Sequence, residues 1–461
     1  MCGNKPIRPI PKNNTPINPE DYRPINILPV LGKVFEKIIH KQITNYLTQY
    51  GLLDKFQSGF KPNHSTTTAL LKVTNDIYLA KDRGQMTILA LLDLSKAFDC
   101  VDRDILLAKL RSMKFSENTL AWMQSFLSDR KQSVSVGNNV SNWRSTEAGV
   151  PQGSVLSPLL FSIYLCDLSE QLKHCRYHLY ADDMQLYIHT KPNDIQETIE
   201  KLNEDLTNIQ QWTEIHSLKV NPLKSQAIII GSEKAHTKLK AINTPPIKFQ
   251  DTEIVWKESV KNLGIIFDKN LNWSEQITKI CQRVYYSLHA LKRMRDFLPT
   301  NTRKLLIETL IFPIFDYGDV VYNNIREELA SKLQRACNAC IRFIYNVPTR
   351  AHISPYRKQL MWLTLRNRRQ SHCTSLAYKI LHSNVPHYLR IEFQYLHTYR
   401  TTSRSVTNSL LQIPIHKGSE YSKTFLPATI REWNSLPPGV RAANNMKAFK
   451  KLSHEFYLNG T

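Results

Sequence analysis

The sequence predicts an α+β protein: a mixed helix-and-strand body to about residue 270, followed by a basic, mainly helical remainder. Three observations predict it. Short apolar runs of strand length alternate with helix-period segments through the first part. Past that point the apolar spacing is helical throughout. The charge divides at the same place: residues 271–461 hold 28 basic and 11 acidic side chains, whereas residues 1–270 hold 33 and 28 of a chain with formal net charge +22.

A near-neutral first part and a strongly basic second part point to a grip on a polyanion. Aromatics interleaved with the positive charge, as in Arg342-Phe-Ile-Tyr345, favour nucleic acid over a merely soluble basic surface. A chain of 461 residues can bury a large core and form two or three domains. Its eight cysteines are scattered, which fits a reducing, intracellular compartment rather than a disulfide framework. Cys337 and Cys340 form a C-x-x-C without a second such pair; two small residues on a buried helix face account for it better than zinc does, His372 and Cys373 being the nearest other ligands. No apolar run reaches the roughly 18 residues of a membrane span, and no signal peptide is evident.

Taken in order, residues 1–20 are Pro- and Asn-rich and predict an extended arm that Ile7, Ile10 and Ile17 lay along a surface. A helix follows, with Leu31, Val34, Phe35, Ile38, Ile39, Ile43 and Leu47 expected inward and Gly51 as its stop. Gln57-Ser-Gly-Phe-Lys-Pro62 is a turn with an exposed basic residue, and Ser65 is placed to cap the next helix. Residues 87–92 form a strand buried on both faces, with Asp93 at its end. In Val150-Pro-Gln-Gly-Ser-Val-Leu-Ser-Pro158, Gly153 permits close approach of backbone to a ligand, while Ser157 is expected to cap and Pro158 to open a helix through Leu159, Tyr164 and Leu168. Ile195, Ile199, Leu202, Leu206, Ile209 and Trp212 mark one face of a long helix; strands follow at 227–230 and as a pair or hairpin within 260–267. Ser274 is placed to cap a helix with Ile277, Ile280, Val284, Leu288 and Leu291 inward and Lys279, Arg283, Lys292, Arg293 and Arg295 outward. Helices are expected at 303–312 and 327–345, then short helical stretches broken near Pro427 and Pro437-Pro438.

The chemistry centres on His178-Leu-Tyr-Ala-Asp-Asp-Met-Gln-Leu-Tyr-Ile188, which predicts strand, tight turn, strand, with Asp182 and Asp183 at the bend. Adjacent carboxylates repel, and a hard divalent ion such as Mg²⁺ relieves that. Taken alone, the stretch fits a solvated Asp-Asp turn equally well. Asp93 tips the balance, because a carboxylate at the end of a buried strand is costly unless paired or metal-bound.

Seven blocks together resemble the reverse transcriptase of non-LTR, jockey-like retrotransposons: Asp21-Tyr-Arg-Pro-Ile25, Gln57-Ser-Gly-Phe-Lys61, Leu91-Leu-Asp-Leu-Ser-Lys-Ala-Phe-Asp99, Gly149-Val-Pro-Gln-Gly-Ser-Val-Leu-Ser-Pro158, Tyr180-Ala-Asp-Asp183, Leu218-Lys-Val-Asn-Pro-Leu-Lys224 and Asn262-Leu-Gly264. Phe315-Asp-Tyr-Gly-Asp-Val-Val-Tyr322 adds to the likeness.

The resemblance implies a right-hand polymerase, with fingers and palm in 1–270, a helical thumb in 271–347 and a basic C-terminal region in 348–461. It implies RNA-directed DNA synthesis from dNTPs on an RNA template and a DNA primer. Asp93, Asp182 and Asp183 would hold two Mg²⁺ ions, for which Mn²⁺ can substitute. It sets Phe98 under the sugar to exclude a 2′-hydroxyl, although ordinary core packing also suits a Phe there. Gln152 and Gly153 would border the nucleotide. Lys61 would meet triphosphate or template, and Lys224 would protonate pyrophosphate, an exposed structural lysine being the alternative for the latter. Arg23, Lys33, Tyr180, Arg283, Lys292 and Arg293 would contact template or primer. Full-length members carry an endonuclease ahead of the polymerase; about twenty residues precede the first block here, so this chain is not expected to nick its own target. No RNase H carboxylate set or zinc knuckle is evident in the sequence. A non-catalytic nucleic-acid-binding remnant, or more remotely an intron maturase, are the competing readings. Residence in nucleus or cytoplasm is left open.

Overall fold

A computed structural model of the chain describes residues 7–242, 244–396 and 409–459. It opens with an antiparallel ribbon of β1 (Ile7–Pro11) on β2 (Tyr22–Asn26). The arm thus folds back on itself. Ile7 is buried and its N–H donates to the Ser133 carbonyl at 2.7 Å, but Ile10 and Ile17 face solvent. The start of the arm, Cys2 included, lies outside the described residues.

Helix α1 (Val30–Gln49) departs from the expected stripe. Ile43 and Leu47 are buried, yet Leu31, Val34, Phe35 and Ile38 are exposed, and Glu36 is buried in their place. The cause is tertiary. Glu36 Oε2 accepts from Ser154 Oγ and from the Val155 N–H, both at 2.7 Å, which turns the first half of the helix toward a polar loop instead of an apolar core. Gly51, at φ +62, follows the last turn as expected. Ser65 caps α2 (Thr66–Asp82) in a reciprocal box with Thr68: Ser65 Oγ accepts from Thr68 N at 3.2 Å, and Thr68 Oγ1 accepts from Ser65 N at 2.9 Å.

Next comes β3 (Met86–Asp93), then α3 (Arg103–Ser112) and α4 (Glu117–Leu127). Four two-residue strands, β4 to β7, lie between Lys131 and Ser145. Helix α5 (Ser157–Tyr164) begins one residue earlier than Ser157 as a cap allows; Ser157 is its first residue, and Ser154 Oγ accepts from the Leu156 N–H instead. There follow β8 (Arg176–Tyr180), β9 (Asp183–Thr190), α6 (Ile195–Ile215), β10 (Gln226–Ile230), α7 (Glu233–Leu239), β11 (Ile247–Phe249) and β12 (Thr252–Trp256). All six apolar positions named for the long helix are buried on α6. A last pair, β13 (Ser259–Asn262) and β14 (Ile265–Asp268), is a hairpin. Its two-residue turn has φ +42 at Leu263 and +86 at Gly264, both positive as a tight hairpin prefers.

The central sheet runs β11-β12-β10-β3-β9-β8. β3 is flanked on both sides by antiparallel neighbours, and its alternation sorts side chains into two cores. Ile88, Ala90 and Leu92 enter a cluster with α3 to α6. Leu89, with Tyr187, Ile228 and Ile230, enters a second cluster on the other face. That is why the run is apolar without a period of two.

The second cluster continues from α2 and β13–β14 through the helical half. Helix α8 (Ser274–Lys292) buries the five apolar residues expected of it. Ser274 is its first residue and not its cap: Asn272 Oδ1 accepts the Ser274 N–H at 2.9 Å, and Asp268 Oδ2 accepts the Trp273 N–H at 2.9 Å. Helix α9 (Thr300–Leu306) passes through a π turn into α10 (Phe312–Asp316). Helix α11 (Glu327–Tyr345) buries Cys337 and Cys340 on its inner face, as the plain reading of the C-x-x-C expected.

The last region holds α12 (Ser354–Gln359), α13 (Leu365–Ser383), α14 (His387–Arg390), α15 (Ser419–Ser422), α16 (Phe425–Ser435), α17 (Pro438–Arg441) and α18 (Met446–Asn459). The expectation of short stretches only is corrected by α13, at 19 residues, and α18, at 14. Pro427 is not a break. It sits in the first turn of α16, where its missing N–H is no loss. Pro437 and Pro438 open α17 in the same way.

Candidate active site

The register of the β3–β9 pair sets Asp93 directly opposite Asp183. The β8–β9 pair closes at Tyr180 opposite Asp183, leaving Ala181 and Asp182 as the turn. Three carboxylates therefore share one end of the sheet, brought together from positions 93 and 182–183 by strand pairing alone.

The turn is strained and held. Ala181 takes φ +56, a left-handed conformation that costs a residue with a Cβ about 1–2 kcal/mol. The buried Gln57 amide brackets it: Oε1 accepts the Ala181 N–H at 3.0 Å and Nε2 donates to the Ala181 carbonyl at 3.2 Å. The Gly59 N–H also donates to Gln57 Oε1, at 2.8 Å. A Cβ on Gly59 would lie 2.3 Å from the Ala181 nitrogen, so only glycine admits this approach.

Like charge and burial dominate the electrostatics. Burial raises the Asp182 carboxyl; the Asp93 charge adds to this, and Arg23 opposes it. Asp183 is partly open to solvent, yet enclosure by protein and then the Asp182 and Asp93 charges push it up to about 6. Among the described residues, neither Asp182 nor Asp183 has a basic side chain in ion-pair contact. Three hard oxygen donors, two of them without an ion-pair partner among the described residues, fit a divalent cation such as Mg²⁺. Asp93 is steadied by the 218–224 segment: its carbonyl accepts from the Asn221 N–H at 2.8 Å, and the exposed Lys224 ammonium lies 4.0 Å from its carboxylate.

Phe98 stacks on Phe161 at 4.5 Å and stays half-buried. Gln152 Nε2 donates to Asp99 Oδ1 at 2.8 Å. Gly153, exposed at φ +99, has no room for a Cβ, which would lie 2.5 Å from the Asn26 carbonyl oxygen. Lys61 is the exception to expectation. It is not an exposed turn residue: its ammonium bonds to the Asp54 carbonyl, and burial lowers it to about 8 against the pull of Asp54. Tyr180 is half-buried, and its hydroxyl is raised by burial and then by nearby Tyr317 and Asp183.

The model for the family described as reverse transcriptase (RNA-dependent DNA polymerase) matches residues 10–267, more than half of the chain and all seven sequence blocks. The chain belongs to the reverse transcriptase family.

The chain is 30% identical to the probable RNA-directed DNA polymerase from transposon BS of Drosophila melanogaster, over 72% of this chain and 37% of that one. It is 29% identical to the RNA-directed DNA polymerase from mobile element jockey of the same species, over 70% of this chain and 36% of that one. The jockey protein of Drosophila funebris is 31% identical over 70% of this chain and 36% of its own length. The chain thus spans about a third of the length of the curated relatives it matches, at 36% to 37%. Among solved structures, an apo telomerase from Candida Tropicalis aligns at a TM-score of 0.42 and 11% identity, over 85% of this chain and 63% of that chain. The α+β, right-hand polymerase class expected of the sequence is that of the family. Among the described residues no helix is long and apolar enough to cross a membrane.

Two buried polar residues bonded across these segments, Gln57 and Glu36, were given no role from the sequence. Gln57 lies in a block already singled out, but its partner is 124 residues away. Glu36 carried a faint signal, as a lone acid amid an apolar stripe. Of the other expected residues, Arg23 is exposed and its charge reaches Asp182. Lys33 lies in the first turn of α1, and Arg283, Lys292 and Arg293 are exposed along α8 and its end. Among the described residues, none of these four pairs with the three carboxylates.

Among the described residues, the group whose ligand atoms all lie within 4.8 Å of one another is Asp316, Asp319 and His372, whereas the three aspartates Asp93, Asp182 and Asp183 stand wider apart than that. The group with His372 is an ion-pair network and not a metal centre. Arg368 Nε and Nη2 occupy both Asp316 oxygens at 2.6 Å, and His372 Nδ1 lies 2.7 Å from Asp319 Oδ2. A guanidinium on one of three ligands repels a cation. The network ties α10 and the 317–322 turn to α13.

Proposed function

We propose that this chain is the polymerase portion of a non-LTR retrotransposon's RNA-directed DNA polymerase. It would extend a DNA primer on an RNA template, transferring nucleotides from dNTPs. The observation that carries this is the ladder register that sets Asp93 opposite Asp183, with Asp182 in the adjoining turn. On this reading 1–270 are fingers and palm, 271–347 the thumb and 348–461 a basic C-terminal region.

Asp93, Asp182 and Asp183 would hold two divalent cations. Such ions, when bound, neutralise the triphosphate and sharpen the primer 3′-hydroxyl as a nucleophile. The remaining work belongs to side chains. The hydroxyl gives up its proton to solvent as its oxygen attacks the α-phosphate, the bond to the bridging oxygen breaks, and pyrophosphate leaves. Lys224, exposed beside Asp93, offers charge or a proton to that leaving group. The Phe98 ring, fixed by its stack on Phe161, floors the sugar and excludes a 2′-hydroxyl. Gln152 and Gly153 border the nucleotide, Gly153 because its backbone is bare. The Arg23 charge is felt at Asp182, so this side chain would meet phosphate as well as template. Lys61 is held away by Asp54, so its part is in shaping the turn before any contact with triphosphate. Tyr180 would lie against the primer terminus, and Lys33, Arg283, Lys292 and Arg293 along the template–primer duplex.

Primer extension on an RNA template with Mg²⁺ tests the reading, run beside the double variant Asp182→Asn, Asp183→Asn. Extension by the wild type and none by the variant is expected. If both bind template–primer and neither extends, the chain is a binding remnant. Equal extension in both would place the active site elsewhere.

A further inference from the structure

The polymerase reading gives Gln57 no task, yet the geometry around it is specialised. Its side chain is 1% exposed, and both ends of its amide are spent on one neighbourhood. Oε1 accepts from the Ala181 and Gly59 N–H groups, and Nε2 donates to the Ala181 carbonyl. The same segment runs beside β8: the Ser58 N–H donates to the Leu179 carbonyl at 2.8 Å, and the Leu179 N–H to the Phe56 carbonyl at 3.0 Å. Residues 56–59 thus form a brace along the strand that delivers Asp182; Gly59 packs closely on Ala181, and the Gln57 amide makes the hydrogen bonds to that tip.

What is braced matters. Ala181 is left-handed, at φ +56, and has a Cβ that disfavours that conformation. Without the amide the turn would relax toward a commoner geometry. Asp182 and Asp183 follow immediately, so a rotation at Ala181 swings both carboxylates relative to Asp93. An amide suits this bracket as no other side chain of its length does. A carboxylate would accept from both N–H groups but repel the Ala181 carbonyl, and an apolar chain would leave all three backbone groups unpaired and buried.

We propose that Gln57 is a positioning residue for the Asp182–Asp183 turn: by bracketing Ala181 it aims both carboxylates at Asp93 so that the three can share divalent cations. This rests on the polymerase reading, but it is separable from it, because cation binding can be read without catalysis. Gln57 touches neither substrate nor cation. Its effect passes through the Ala181 backbone.

The test is Gln57→Met, which is uncharged and similar in length, in the full chain. Mn²⁺ binding is followed by electron paramagnetic resonance, and primer extension is split into kcat and KM for dNTP. A drop in Mn²⁺ affinity of about tenfold is expected, with kcat lower by about 10–100-fold and KM for dNTP nearly unchanged, because misplacement by about 1 Å costs on that order. Adding Ala181→Gly should restore part of both losses, since glycine takes a positive φ unaided. A merely structural role would move the melting temperature and leave the affinity of the folded fraction, and its kcat, where they were; that outcome overturns the proposal. If Gln57→Met has no cooperative melt, the comparison is made in the Ala181→Gly background. If neither melts cooperatively, Gln57 is a folding residue and the proposal fails. A wild-type chain that binds Mn²⁺ and extends nothing overturns the polymerase reading alone, while unchanged Mn²⁺ affinity in Gln57→Met overturns the positioning role alone.

Discussion

Asp183 shows what one residue's surroundings do to its titration. Its carboxyl is pushed up to about 6 by enclosure and by Asp182 and Asp93, against about 4 for an unperturbed Asp. The folded chain therefore holds that proton more tightly than the unfolded chain does. Stability contributed by this site, without divalent cations, falls as pH rises from about 4 to about 6. A cation competes with the proton and offsets the repulsion only once the carboxyl is ionised. The rise in melting temperature on adding Mg²⁺ should thus be larger at about pH 7.5 than at about pH 5, and Asp183→Asn should remove most of the difference. Equal Mg²⁺ shifts at both pH values in the wild type would mean that Asp183 does not contribute to cation binding. At this scale the sequence was partly legible. The aspartates stood out because charge at a strand end and at a tight turn demands compensation. Gln57 and Glu36 did not, because a neutral amide in a turn and an acid on a helix declare nothing until their partners arrive from 124 and 118 residues away.

Among elements, strands and long helices were the legible part. The β3 run, the β8–β9 hairpin, the α6 stripe and the α11 span follow from apolar spacing that no partner had to complete. Caps were less legible: Ser65 caps α2, but Ser157 and Ser274 each sit one residue inside the helix they were expected to cap. Helix α1 is the clear miss, since periodicity gives a stripe and cannot say how far along the helix the core extends. Its first turns bury Glu36 against the Ser154 hydroxyl and the Val155 N–H and leave their apolar residues in solvent. Two substitutions separate the halves. Leu31→Ser, at a position 84% exposed, should change unfolding free energy by no more than about 0.5 kcal/mol. Ile43→Ala, at a position 4% exposed, should cost about 2–4 kcal/mol in the same denaturant titration. Comparable losses at both sites would contradict the outward face of α1.

Across the whole molecule, the basic half is not an appendage. One apolar cluster runs from the back of the sheet (Leu89, Tyr187, Ile228) through α8 and α11 to Phe449 and Tyr457 near the end. Tyr388 of α14 reaches Ser58 Oγ at 2.7 Å and Thr68 Oγ1 at 3.2 Å, beside the brace on the aspartate turn. Removing residues after 270 would therefore strip one face of the sheet and would not isolate nucleic-acid affinity. Surface charge can be tested without that damage. Arg283, Lys292 and Arg293 are exposed, whereas the neighbours that hold α8 in place, Ile277, Val284, Leu288 and Leu291, are buried. Replacing the three cations with Gln should leave the melting temperature close to wild type. If they lie along the template–primer duplex, each lost phosphate contact lowers the slope of log K against log salt by roughly 0.9. The triple variant should thus bind more weakly at low salt, converge on the wild type as salt rises, and lose up to about 3 from the slope. A slope equal to that of the wild type would show that this face of α8 does not meet the phosphate backbone. On the polymerase reading, the positive charge that meets nucleic acid would then have to come from cations elsewhere in the chain.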